Sequence, residues 1–115
     1  MITEQEIKDI LPSGYKIILD KEYILPSDDD VLSAVKSFIE KRGVFKFKSG
    51  ARDCDNAAVE MLAGMSGKGW PFALAVLEGH AVCLYINDKK EVKYIEPQTG
   101  EPMETKKRLK VTVMT

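Results

Sequence analysis

Cys54, His80 and Glu96 are the residues of this chain whose types and order could do chemistry. Cys54 stands in the stretch Arg52-Asp53-Cys54-Asp55-Asn56, where a helical pattern begins. His80, the only histidine, opens an apolar strand pattern, and Glu96 closes the strand after it in Glu96-Pro97-Gln98. A thiolate attacks a carbonyl, an imidazole takes the thiol proton, and a carboxylate or amide orients the imidazole. A helix start favours the thiolate, whereas the charges of Asp53 and Asp55 oppose it. His80 is the only imidazole available as general base. Glu96 or Gln98 is the candidate orienting group. Cys83, three residues past His80, points to the other face of its strand and reads as core.

Strand register decides whether Glu96 can reach His80. A four-residue connection pairing Ile86 with Glu91 sets Glu96 against Ala81, on the wrong face. A three-residue connection pairing Ile86 with Lys90 sets Glu96 against His80, and a bulge also restores the match.

The elements that position these residues follow from local pattern. Thr3 to Leu11 is a short helix with a Thr3–Glu6 capping box, stopped by Pro12-Ser13-Gly14. Tyr15 to Leu19 and Tyr23 to Leu25 favour strands. A second helix starts at Pro26-Ser27-Asp28-Asp29-Asp30 and carries Val31, Leu32, Val35, Phe38 and Ile39 on one stripe. Its acidic first turn and basic Lys41-Arg42 end suit the helix dipole, and Gly43 stops it. Val44 to Lys48 is an edge strand or a connector. Asp53 or Asp55 caps a third helix that ends near Gly64. Pro71 to Leu77, His80 to Ile86 and Glu91 to Glu96 read as an antiparallel meander, and Lys106 to Thr115 ends in a final strand. Helices first and strands later predict an α+β fold, with N-terminal helices packed on one face of an antiparallel sheet.

The bulk numbers suit one globular domain, residues 1–115: 44 % hydrophobic, 30 % charged, formal net charge −1. No apolar run approaches the roughly 20 residues of a membrane span. The polar start Met1-Ile2-Thr3-Glu4-Gln5-Glu6 lacks signal-peptide character, so a cytoplasmic protein is expected. Two isolated cysteines and one histidine do not make a zinc site by spacing, two aspartates are too few for calcium, and no cofactor is expected. Two basic stretches, Lys41 to Arg52 and Lys106 to Lys110, suggest nucleic acid, but the net charge and the lack of a reader motif argue against it.

Taken in order, Asp53-Cys54-Asp55-Asn56-Ala57-Ala58, Gly79-His80-Ala81-Val82 and Tyr94-Ile95-Glu96-Pro97-Gln98-Thr99-Gly100 resemble the motifs of papain-like cysteine peptidases. The likeness is to the small papain-like domain at the end of a fungal agglutinin and to short bacterial and phage domains. It extends to Leu19–Ser27 and covers roughly Tyr15 to Gly100. The resemblance implies a minimal papain-like core and a triad of Cys54 as nucleophile, His80 as base and Glu96 as orienter. It further implies an acyl-enzyme mechanism on a peptide or protein substrate. The family's oxyanion glutamine is missing: Phe47, Lys48 and Ser49 occupy its region. The Cys54 N–H supplies one donor, and Asn56, Trp70, Gln98 or Lys48 are the candidates for the rest. The competing expectation is a catalytically inactive interaction module on the same scaffold, phage- or mobile-element-encoded and binding a protein partner. Trp70 and Phe72 would then be contact anchors.

Overall fold

The computed structural model describes all 115 residues. In chain order the elements are β1 (Ile2–Thr3), α1 (Glu4–Ile10), β2 (Tyr15–Ile18), β3 (Glu22–Tyr23), α2 (Asp28–Arg42) and α3 (Cys54–Met65). β4 (Phe72–Leu77), β5 (His80–Ile86), β6 (Val92–Ile95), β7 (Pro102–Met103) and β8 (Leu109–Met114) follow. The fold is α+β.

The helix starts are local chemistry. Thr3 Oγ1 accepts the N–H of Glu6 at 3.2 Å, and Glu6 Oε1 accepts the N–H of Thr3 at 3.2 Å, which closes the capping box. Ser27 Oγ accepts the Asp30 N–H at 3.1 Å ahead of α2. Asn56 Oδ1 accepts the Asp53 N–H at 3.1 Å at the head of α3. Val44 to Phe47 form no strand; the segment is a connector, tied only by a bridge between Lys48 and Arg52.

Six strands form one sheet in the order β2-β8-β4-β5-β6-β7, and β1 pairs with β3 apart from it. β4, β5 and β6 are the expected meander. The sheet is mixed, not wholly antiparallel as expected, because β2 pairs parallel to β8. The C-terminal strand enters between β2 and β4, which only tertiary packing can arrange.

β5 organises the core. Ala81 to Ile86 are all buried, and alternate residues serve two clusters. Ala81, Cys83 and Tyr85 pack with Val31, Val35, Ala58, Met61 and Met65 from α2 and α3. Val82, Leu84 and Ile86 pack with Ile2, Ile7 and Leu11 at the other face. Helices α2 and α3 therefore share one face, as expected, while α1 closes the opposite one. At about 25 cal/mol per Å2 of apolar surface, each fully buried Leu or Ile side chain contributes on the order of 2 kcal/mol.

Gly14 turns the chain from α1 into β2 at φ +90°, and a Cβ there would lie 2.6 Å from the carbonyl oxygens of Leu109 and Lys110. Both the left-handed backbone and the close approach to β8 exclude a side chain. Gly14→Ala is expected to lower unfolding free energy by about 2 kcal/mol or more in urea titrations. Gly43→Ala, also at positive φ but with open space around it, should cost less, about 1 kcal/mol.

Candidate functional site

α3 leads through a short 3-10 turn to β4, whose first residue, Phe72, pairs with Tyr85. α3 therefore runs along β5 in the same direction, and its head lies where β5 begins. Cys83 Sγ contacts the Ala58 carbonyl oxygen at 3.5 Å. From there Cys54 is one helical turn back, about 6 Å, and His80 three strand residues back, about 10 Å. Cys54 and His80 thus share one end of the helix–sheet unit.

His80 and Glu96 are bonded. His80 Nε2 and Glu96 Oε2 lie 3.1 Å apart. The register that permits this is neither of the two weighed from sequence. Ile86 pairs with Val92 and Cys83 with Ile95, leaving Asn87 to Glu91 as a five-residue connection. Continuing that ladder sets Glu96 across from Val82, on the same side of the strands as His80 and diagonal to it. The loop beyond is anchored: Arg42 Nη1 and Nη2 donate to the Pro97 and Gln98 carbonyls at 2.9 and 2.8 Å. Gly100 lies so close to α2 that a Cβ there would come within 2.8 Å of Ile39.

Cys54 does not join the pair through a hydrogen bond; its thiol is free and half-buried, and it packs against the cluster that α2 and α3 cover. Alternation along β5 places His80 with Val82, which belongs to the opposite cluster. Cys83 is free and fully buried, as expected. Burial, then the Glu96 charge, pushes its thiol well above the usual range. Asn56 spends its side-chain oxygen on the helix cap. Gln98 offers its carbonyl to Arg42. Trp70 lies at the far end of α3, under the Lys68 ammonium at 5.4 Å from the ring centroid, and Phe72 is buried against Tyr85. Lys48 sits in the bridge ahead of α3. Of the residues singled out from sequence, the fold joins His80 to Glu96 and brings Cys54 to the same end.

A groove of about 660 Å3 lies elsewhere, at the β6–β7 end of the sheet. Asp28, Leu32, Tyr85, Val92, Lys93, Tyr94, Pro102, Met103, Glu104 and Thr105 line it. A smaller groove of about 440 Å3 shares Val92, Tyr94 and Thr105 with it and continues past Lys106, Lys107 and Arg108 to Pro12 and Ser13. Neither is lined by Cys54, His80 or Glu96.

The wall of the larger groove is held by a polar network. Tyr85 donates its hydroxyl to Asp28 Oδ1 at 2.7 Å, and Asn87 Nδ2 donates to Asp28 at 3.2 Å and to Glu91 Oε1 at 3.0 Å. The Tyr85 hydrogen bond, followed by that from Asn87, holds the Asp28 carboxyl below its usual range against the effect of burial. Burial, then the Asp28 bond, pushes the Tyr85 hydroxyl up. Sequence reading missed Asp28, Tyr85 and Tyr94 as site residues. Asp28 was read only as a helix-dipole charge, and its second role depends on a tyrosine 57 residues away.

No family model matches the chain, and no curated protein matches it. Among solved structures the chain is similar to one titled "PSL1a-E64 complex", with a TM-score of 0.77 at 14 % identity over 98 % of this chain and 50 % of that one. It is also similar to Polyporus squamosus lectin bound to the human-type influenza-binding epitope Neu5Aca2-6Galb1-4GlcNAc, with a TM-score of 0.68 at 15 % identity, covering 92 % of this chain and 44 % of that one. The chain spans about half the length of the solved chains it matches. At such identities the likeness is one of fold.

These neighbours correct the peptidase expectation. The second of them is a lectin and neither likeness shows a papain-like family, so the papain-like family assignment and the thiol-protease function drawn from it are set aside; the agglutinin side of the resemblance is shared in part. The Cys54 thiol makes no hydrogen bond to the His80 imidazole and lines neither groove.

Two outcomes follow from the geometry. The His80–Glu96 pair is 27 % and 21 % exposed, so a double-mutant cycle with His80→Ala and Glu96→Ala should give a coupling of about 0.5–1 kcal/mol in urea unfolding. The lowered Asp28 pKa stabilises the fold fully above the unfolded carboxylate's pKa of about 3.9, and that stabilisation is lost as pH falls through the folded value. Asp28→Asn should therefore lower the urea midpoint at neutral pH and flatten its decline below about pH 4.

Proposed function

We propose that the chain is a non-catalytic binding module, and that its ligand is a saccharide bearing an acidic group, held in the groove at the β6–β7 end. The reading takes residues 1–115 as one folding unit. The observation that carries it is the separation of the groove from the thiol. A hydrolase needs its nucleophile inside its cleft, whereas a binder needs only a cleft with an apolar wall and a few placed polar groups.

The groove has that composition. Tyr94 offers a ring to the C–H face of a sugar, and its hydroxyl is raised in pKa by burial with no protein hydrogen bond contributing. Leu32, Val92, Pro102 and Met103 extend the apolar surface, and Glu104 and Thr105 supply acceptors for sugar hydroxyls. Lys93, Lys106, Lys107 and Arg108 stand along the two continuous grooves, and none of them belongs to an ion pair within the protein. Unpaired cations beside a ring suit a carboxylate on the ligand. One fold neighbour is bound to a sialylated trisaccharide, which supports this chemistry by analogy. The first basic stretch has other duties. The Arg42 and Arg52 guanidiniums lie over Phe45 at 5.2 and 4.3 Å, and Arg52 pairs with Glu60.

In this reading Cys54, His80 and Glu96 are positioning residues. The hydrogen bond between His80 and Glu96 fastens the end of β6 to the start of β5, and Cys54 opens α3 near them.

Calorimetric titration with Neu5Aca2-6Galb1-4GlcNAc and with its asialo disaccharide tests the proposal. Binding of the acidic sugar should exceed that of the neutral one. It should fall about tenfold in Tyr94→Ala and weaken both with salt and in Lys107→Glu. Cys54 should react with iodoacetamide no faster than free cysteine. Faster alkylation, accompanied by peptide hydrolysis that Cys54→Ala abolishes, would overturn the reading, as would an acidic peptide that binds while both sugars fail.

A further inference from the structure

The sheet ends on its other side at β2, and that edge is open. Three apolar side chains alternate along it in the exposed state: Tyr15 at 70 %, Ile17 at 39 % and Leu19 at 65 %. Their neighbours across the sheet continue the surface. Ile17 pairs with Val113 and Val113 with Leu74; Tyr15 pairs with Val111 and Val111 with Val76. All four of these inner residues are half-buried. Leu74 packs against the α2–α3 cluster, so the rows lie on the face that carries α3. That helix packs over β4 and β5, and the apolar rows run on past it to the edge.

The backbone of β2 is ready to pair. The Leu19 N–H bonds inward to the Met114 carbonyl at 3.0 Å. Alternation then turns the N–H and C=O groups of Lys16 and Ile18 outward, to the free edge. The Asp20 N–H is already taken by the Tyr23 hydroxyl at 3.0 Å, so an added strand has Lys16 and Ile18 to bond.

We propose that this edge pairs antiparallel with β2 of a second copy of the chain, about a two-fold axis at Ile17. The register follows from the available groups. Lys16 faces Ile18 of the second copy, and each contributes its outward N–H and C=O. Ile17 meets Ile17 of the second copy, and Tyr15 meets Leu19 of the second copy, so the exposed apolar residues cover one another. Lys16 falls diagonal to Asp20 of the second copy on one side and to Lys16 of the second copy on the other, so symmetry gives two opposite-charge contacts against one like-charge contact. An axis at Lys16 would set two lysines face to face, and one at Ile18 would call on the Asp20 N–H that Tyr23 holds. Self-complementary charge thus names the occupant and the register together. The join makes one twelve-stranded sheet, since each copy contributes six strands. The two β6–β7 ends then stand at its opposite limits. Two grooves on one particle would bind a repeated ligand with avidity, though the pairing itself does not depend on what the grooves hold.

Analytical ultracentrifugation of the full chain from micromolar to millimolar concentration tests this. A reversible dimer is expected. Ile17→Lys should weaken it by about tenfold or more, while Val59→Lys, on the exposed flank of α3, should leave it unchanged. Lys16→Glu and Asp20→Lys should each weaken the dimer and together restore it. That charge swap reports on the register even where Ile17→Lys fails to fold. A chain that stays monomeric throughout overturns the proposal. So does a dimer indifferent to Ile17→Lys, one lost equally in Val59→Lys, or a charge swap without rescue.

Discussion

β5 must be covered on both faces, and most of the architecture answers that requirement. Six consecutive buried residues, Ala81 to Ile86, send alternate side chains into two separate clusters. A strand with two apolar faces cannot sit in a sheet that is open to water on one side. α2 and α3 meet the face of Ala81, Cys83 and Tyr85, while α1 and β1 close the face of Val82, Leu84 and Ile86. β4 and β8 share the coverage because they lie beside β5 in the same sheet. The cover thins toward the two ends of the sheet. At one end the polar network of Asp28, Tyr85 and Asn87 borders a groove, and at the other β2 keeps an apolar edge.

The same constraint explains why residue types that suggest a nucleophilic triad do not settle one. The head of α3 and the start of β5 coincide because helix and strand run together. The imidazole, however, takes its side from strand alternation, and the thiol takes its side from the helix. His80 and Glu96 meet because their register gives them one parity. Their bond holds two strand ends together, a structural contribution that needs no chemistry. The larger groove is lined by other residues, from α2, β5, β6 and the segment around β7.

Much of the fold was legible in the chain. The capping box of Thr3 and Glu6, the Ser27 cap and the acidic first turn of α2 are short-range hydrogen-bond and dipole effects, and each helix begins where they place it. Apolar runs bounded by the turn residues Glu78-Gly79 and Asn87 to Lys90 located β4, β5 and β6. The parallel pairing of β2 with β8 was not legible, because it joins residues almost a chain length apart and leaves no local pattern. The hairpin connection was misjudged by one residue or more. Asn87 accounts for this: its side-chain oxygen accepts the N–H groups of Lys89 and Glu91 at 3.0 and 2.9 Å, which closes a five-residue loop in place of a tighter turn.

The sequence by itself determined the three helices, the strands other than β1 and β7, the α+β class and which residues carry thiol, imidazole and carboxylate. These depend on backbone hydrogen bonding and apolar periodicity within a few residues. Only the tertiary structure decided which of them meet. The Glu96 contact with His80 turns on strand register, and the groove draws on α2, β5, β6 and the segment around β7, so its residues share no stretch of chain. The physical reason is that a side chain's chemistry is local, whereas its neighbours are chosen by burial of apolar surface across the whole chain.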